Sequence, residues 1–177
     1  MTIDLGLLIL QSVVGLLIAG HGAQKLFGWF GGHRLAGTAT MLGSLGLYPA
    51  RFWALVAGLA EFVGGLLTAF GLFHPIGPLA IIAVMLMAIA LVHANKGLWL
   101  SNGGGEYNLV LITIAAVLGL AGPSHYSLDW WLGVALPMPQ TFWIGLAVVL
   151  IGLIAGLTFR HVEQTQQPMP QAGGAAR

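Results

Sequence analysis

The sequence predicts an all-α integral membrane protein: a four-helix transmembrane bundle plus a fifth, C-terminal span, with the N-terminus outside and the C-terminus in the cytoplasm. Three observations predict it. Apolar residues make up 58% of the 177-residue chain and charged residues 6%, against roughly 25% charged in a soluble domain; six basic and five acidic side chains cannot cover a water-exposed surface. The apolar residues fall into five stretches near the length of about 20 that a bilayer-crossing helix needs. All six Lys and Arg collect on one side once those stretches are threaded through a membrane. The same composition excludes a disordered chain. A net charge of +1 leaves no footprint for nucleic acid. With no cysteine, disulfides, iron–sulfur clusters and thiol chemistry are removed from this chain.

The first span is placed at about 5–27. No Lys or Arg precedes it and no small-residue cleavage site follows, so it reads as a retained span and not as a signal peptide. In the long connection that follows, Leu35, Ala39, Leu42 and Gly46 recur at helical spacing beside Arg34 and Thr38, which predicts a helix lying in the inner interface. Proline sets the remaining boundaries. Pro49 precedes the second span (51–72), and Pro75 and Pro78 bracket the turn into the third (77–95). Pro123 ends the fourth (107–122), and Pro137 and Pro139 precede the fifth (141–159). Residues 1–160 are thus read as one transmembrane domain. Residues 161–177, rich in Gln, Pro, Gly and Ala, are read as a disordered cytoplasmic tail, with His161 at the interface.

Orientation follows from charge. With the N-terminus outside, the inner segments hold Lys25, Arg34, Arg51, Lys96, Arg160 and Arg177, and the outer segments hold no Lys or Arg. Four spans would strand Arg160 and Arg177 outside, so the basic residues argue for five. Trp29, Trp53, Trp99, Trp130, Trp131 and Trp143 all sit near span ends, as an interfacial aromatic belt requires.

Lipid supplies no hydrophobic drive between helices, so contact relies on small residues. Ala54, Ala57, Gly58, Gly64, Gly65 and Thr68 in the second span, and Gly145, Gly152 and Gly156 in the fifth, are read as packing positions. Gly103-Gly104-Gly105 reads as a turn; no strand precedes it, as a nucleotide cradle would need.

Few ionisable groups fall inside the spans. Glu61 lies ten residues beyond Arg51, about 15 Å into the membrane, where a charge costs about 2.5–3.5 kcal/mol. His21 lies about 9 Å from the inner end of its span, and His93 near the inner end of the third. Helix side chains lean toward the N-terminus, so His21 and His93 lean to the membrane centre while Glu61 leans back toward the cytoplasm. His21 with Glu61 is the predicted pair, and Lys25, nearer the surface, is expected to snorkel. The cluster reads either as an ion pair fixing helix register or as a proton-linked or ligand site. Axial haem ligation by two histidines is a lesser alternative, because pairing with Glu61 accounts for His21 more simply. On the outer side His74 and His125 are expected to be solvated, and Ser127, Asp129 and Trp130-Trp131 form a capped interfacial turn.

The run His21-Gly-Ala-Gln-Lys-Leu-Phe-Gly-Trp-Phe-Gly-Gly32 resembles the end of the first span of DoxX-type membrane proteins. The resemblance continues through Leu59-Ala-Glu-Phe-Val-Gly-Gly65, His93 with Asn95 and Gly97, Ser101-Asn-Gly-Gly, Glu106-Tyr107 and Gly122-Pro-Ser-His-Tyr-Ser-Leu-Asp129, so it covers about residues 5–130. It implies a four-helix inner-membrane protein, from which the fifth span and tail depart. Relatives are linked to quinone-dependent sulfur oxidation, as a subunit of a thiosulfate:quinone oxidoreductase, or to redox-stress complexes with soluble thiol or superoxide enzymes. Carried over by motif, the residues of interest are His21, Gln24, Lys25, Glu61, His93 and Glu106.

The resulting expectation is an inner-membrane subunit of a redox complex with a quinone or proton-relay site in the cytoplasmic half of the bundle. Glu61 and His21 exchange the proton, and Lys25 and His93 orient or polarise a quinone oxygen. Gln24, Trp29, Glu106 and Tyr107 complete the cofactor-binding set, and no metal is expected. Lipid, a quinone, and other subunits or further copies of the chain are the expected partners. A non-catalytic scaffold for soluble redox enzymes and a small proton-coupled transporter are the alternatives.

Overall fold

A computed structural model describes residues 1–160; the predicted tail and His161 lie outside the described residues. Among those residues there are seven α-helices and no strand. They are α1 (Thr2–Leu26), α2 (Arg34–Ser44), α3 (Ala50–Phe70), α4 (Ile76–Ala88), α5 (Glu106–Ala121), α6 (Leu128–Leu132) and α7 (Gln140–Thr158). A π-helical turn over Ile89–His93 and a 3₁₀ turn over Ala94–Lys96 prolong α4. Four helical stretches are long and apolar enough to cross a membrane: α1, α3, Ile76–Lys96 and α7. The apolar α5, at 16 residues, is shorter. Pro78 falls inside the first turn of α4, not in the turn before it. It is tolerated there because the first-turn N–H groups of a helix have no intrahelical partner.

Backbone contact sets the arrangement. α1 and α3 run antiparallel with almost nothing between them: a Cβ at Gly65 would lie 2.4 Å from the Ala19 nitrogen and 2.6 Å from the Gly15 oxygen. Further along, Gly22 faces Phe62, and Gly58 faces Leu26 and Lys25. α3 and α4 meet as closely next to their connection, where Gly64 faces Ala80 and Gly77 faces Thr68. α4 is central: α5 runs antiparallel to it and α7 parallel, with Gly119 against Phe142 and Pro78, and Gly145 against Leu79. The core between them holds Ile18, Ile81, Ile82, Leu111, Ala115 and Phe142.

These directions gather Lys25, Arg34, Arg51, Lys96 and Arg160 at one end of the bundle, here called the basic end. The two ends are built differently. At the basic end α1 stops early. Leu26 packs on Gly58, just over two turns (about 12 Å) along α3 from Ala50. The space below α1 is taken by α2, whose Leu42 joins Leu47 and Ala54 in a small apolar cluster. α2 is therefore the helix predicted from Leu35, Ala39 and Leu42, with Thr38 and Leu42 on its buried side.

The opposite end is clamped by Asp129. Ser127 caps α6 by accepting from the Trp130 N–H at 3.2 Å, as its position predicts. The Asp129 carboxylate is buried and accepts the Phe73 and His74 N–H groups at 2.8 and 2.7 Å. The Asp129 N–H returns a bond to the Gly71 carbonyl. α6 is thereby fastened across the α3–α4 connection. His74 is buried in this clamp, contrary to its expected solvation. Burial lowers its imidazole pKa below the usual range, with the Gly119 and Leu118 backbone and the Asp129 carboxylate pulling the other way. His125 is exposed, pairs with Asp4 and lies against the Trp130 ring at a tilt of 54°.

Candidate functional site

The polar residues singled out in the sequence divide into three separate groups. The first is an ion pair between Lys25 Nζ and the Glu61 carboxylate. Glu61 is 6% exposed and sits midway along α3. This corrects the expected His21–Glu61 pair, and the reason is the stagger of α1 against α3. Because α1 ends level with Gly58, the Lys25 stem lies against α3 and its ammonium turns to Glu61 instead of snorkelling. One turn earlier, Gly22 is the residue facing α3, which turns neighbouring His21 away from Glu61.

The second group secures a loop. The chain reverses after Phe27 and folds back over the last turn of α1, so close that a Cβ at Gly32 would lie 2.3 Å from the Gln24 oxygen. Gln24 Nε2 donates to the Phe30 carbonyl at 3.3 Å, and His21 Nδ1 bonds Gln24 Oε1 at 3.1 Å. Phe30 has φ 51°, a left-handed conformation rare outside glycine. Irregular backbone near the membrane needs side-chain partners of this kind. Trp29 stands on the same loop, exposed, against Phe27 and Phe30.

The third group does the same for Gly97–Gly105. His93 Nδ1 bonds the Gly103 carbonyl at 2.6 Å. The Glu106 carboxylate accepts from the Leu100 N–H at 2.9 Å. Tyr107 points outward, half-exposed. His21, His93, Gln24, Glu106, Trp29 and Tyr107 thus stay out of the Lys25–Glu61 pair. Among the described residues no three His, Asp or Glu side chains gather as a metal site.

What lies beside the ion pair is a cavity of about 490 Å³, within the ~300–1,000 Å³ range of small-molecule sites. α3 and α4 touch near their connection and diverge toward the basic end, and the cavity fills the opening. α3 contributes Trp53, Ala57, Ala60 and Glu61, α4 contributes Met87 and its π turn, α7 contributes Gly152, and α2 closes the floor with Leu42. The wall is apolar except for Lys25 and Glu61. Wide π turns recur at functional sites; this one presents Leu91 and Val92 to the cavity while His93 holds the adjoining loop. Sequence reading missed the contributions of α2 and α7. It took Ala57 and Gly152 for helix contacts, yet a Cβ at Gly152 would meet nothing within 4 Å. Small residues here make space instead of closing it.

Known proteins give a consistent picture. The DoxX family profile matches residues 6–94, which include Lys25, Glu61, His21, Gln24 and His93 but neither Glu106 nor Tyr107. The chain is also similar to a Bacillus subtilis (strain 168) protein named "Putative oxidoreductase CatD". The two are 30% identical over 126 residues, covering 71% of this chain and 86% of that protein. No solved structure matches. The chain belongs to the DoxX family of membrane proteins.

Proposed function

We propose that this DoxX-family protein is an inner-membrane subunit of a redox complex, and that its cavity receives the head of a quinone. One observation carries the reading: the buried Lys25–Glu61 pair is the polar spot in an otherwise apolar wall. Reducing a quinone oxygen builds negative charge on it and ends with a proton there. A Lys ammonium stabilises that charge as it develops, and a carboxylate at hydrogen-bond reach can pass the proton. In the resting pair each group neutralises the other, so a polar head entering between them meets a donor and an acceptor together. His21 and His93 act one step removed, holding the two loops of the basic end. Electrons come from a partner subunit, and any sulfur chemistry belongs to the partner or the substrate, because this chain has no cysteine. The oxidoreductase name of the Bacillus relative supports the class of reaction.

The test is binding of a short-chain benzoquinone to purified protein. Glu61→Gln keeps the volume and removes the acid; it is expected to weaken binding about 10–100-fold, the weight of one or two charge-assisted hydrogen bonds, with the fold intact. Equal affinity in wild type and variant sinks the assignment.

The same proposal has five helices crossing, with the basic end cytoplasmic. α5 supports this despite its length: Gly105 lies beside His93, Asn108 beside Met85, and Gly119 beside Pro78, so α5 accompanies α4 from end to end. Five crossings leave Lys25, Arg34, Arg51, Lys96 and Arg160 on the side where basic residues are retained. A reporter inserted after Arg160 is expected to read cytoplasmic in intact cells, and an external signal would refute the topology.

A further inference from the structure

A second, smaller void adjoins the first. It measures about 260 Å³ and is lined by Leu47, Tyr48, Trp53, Gly152, Gly156 and Phe159, sharing Leu47, Trp53 and Gly152 with the main cavity. The two lie side by side because α7 rests on α4 and not on α3: Gly145 packs on Leu79, and Gly156 on Met87. Contact between α7 and α3 falls to the Trp53 indole, whose Cη2 would lie 3.6 Å from a Cβ at Gly156. At the basic end the gap is closed by Arg160, which donates from Nε to the Leu45 carbonyl. Its polar wall is at the far side, at Lys25 and Glu61.

We propose that the gap between α3 and α7 is a groove for a single apolar lipid tail, through which an amphiphilic ligand reaches Lys25 and Glu61 sideways from the bilayer. The identity of the head rests on the quinone reading above; the tail groove rests on its own geometry. A water-soluble substrate finds few partners along this route, since the Trp53 N–H already donates to the Tyr48 carbonyl. A partner helix, about 10 Å across with its side chains, is too thick for the void. A chain of methylene or isoprene units fits, with its head at the ion pair and its end in lipid. α7, the helix by which this chain exceeds the short four-helix form, then supplies one wall of the groove.

Gly152 offers a clean test, because a side chain added there enters open space instead of a neighbour and replaces a poor helix former. Full-length wild type and Gly152→Phe are reconstituted in phosphatidylcholine vesicles and irradiated with two probes. One is a benzoquinone whose decyl tail ends in a diazirine; the other is the same alkyl diazirine without a head. In wild type both probes are expected to label the segments around Trp53 and Phe159 more strongly than the open face of α1 at Ile9 and Leu16. Gly152→Phe is expected to cut labelling of those segments about tenfold, the weight of roughly two buried methylenes, leaving α1 labelling unchanged. Trp53→Ala, which removes the contact to α7, is expected to raise labelling around Phe159. Labelling near Trp53 and Phe159 no stronger than on α1, or insensitive to Gly152→Phe, overturns the groove. Groove labelling by both probes that is indifferent to the head and to Glu61→Gln upholds the groove and overturns the quinone.

Discussion

Lys25→Met alone is expected to destabilise the protein by about 3 kcal/mol, and Lys25→Met combined with Glu61→Leu to restore most of that loss without restoring the quinone binding proposed above. The asymmetry comes from desolvation. With Lys25 gone, a carboxylate that is 6% exposed either stays charged without a partner or takes up a proton, and both cost free energy. Breaking one side of a buried pair typically costs about 3–5 kcal/mol, whereas replacing both sides with apolar groups is often neutral. Lys25 is partly exposed, with a side chain at 27%, which favours the low end of that range. Denaturant unfolding in detergent measures the stabilities, and titration with a short-chain benzoquinone measures binding. The double variant separates the two roles of the pair: recovered stability with lost binding assigns it to function. A double variant still as unstable as the single one would make the pair a structural fastener, and retained binding would remove it from the site.

Gly65→Leu is expected to cost about 3 kcal/mol or more, the upper end for overpacking, and to broaden or abolish the folded peak in size-exclusion chromatography. Backbone, not a movable side chain, occupies the space: the Ala19 nitrogen and Gly15 oxygen lie 2.4 and 2.6 Å from where the first added carbon would sit. The helices would have to separate along their length. Gly152→Leu, the same change at a glycine with open space, is the control and is expected to leave unfolding unchanged. Similar losses at both positions would mean that glycine content and not the α1–α3 approach governs stability.

The sequence made some parts of this molecule readable and hid others for identifiable reasons. Hydropathy and proline placed the helices, because a long apolar run is a local signal and proline falls at helix ends or in their first turns. Leu35, Ala39 and Leu42 showed α2, and Ser127 showed the α6 cap, since both signals are local. Glu61 stood out because a carboxylate mid-span is costly wherever its neighbours are. Its partner was not legible. Depth counted from each span's own end assumes that the ends are level, and the glycine contacts place α1 about 12 Å short of α3. That stagger exchanges His21 for Lys25. The cavity was hidden for a related reason: an alanine or glycine reads the same whether a neighbour fills the space beside it or nothing does. Gly65 and Gly152 differ only in what stands opposite. The burial of His74 depended on Asp129, which is distant in sequence and reaches two backbone N–H groups of the α3–α4 connection.

The shortness of α5 has a mechanical consequence. Sixteen residues rise about 24 Å, while the hydrocarbon layer is about 30 Å thick. On the five-crossing topology proposed above, α5 falls short of that layer while α1 and α3 match it, so that topology has lipid beside α5 drawn inward on at least one leaflet. Leu98, Trp99 and Leu100, exposed just before α5, extend its apolar band at the basic end and leave the mismatch at the Gly122 end. That topology therefore predicts a bilayer pinched along the α5 flank. A thinner membrane relaxes that flank, which makes bilayer thickness a variable that the surrounding lipid, and not the chain, controls.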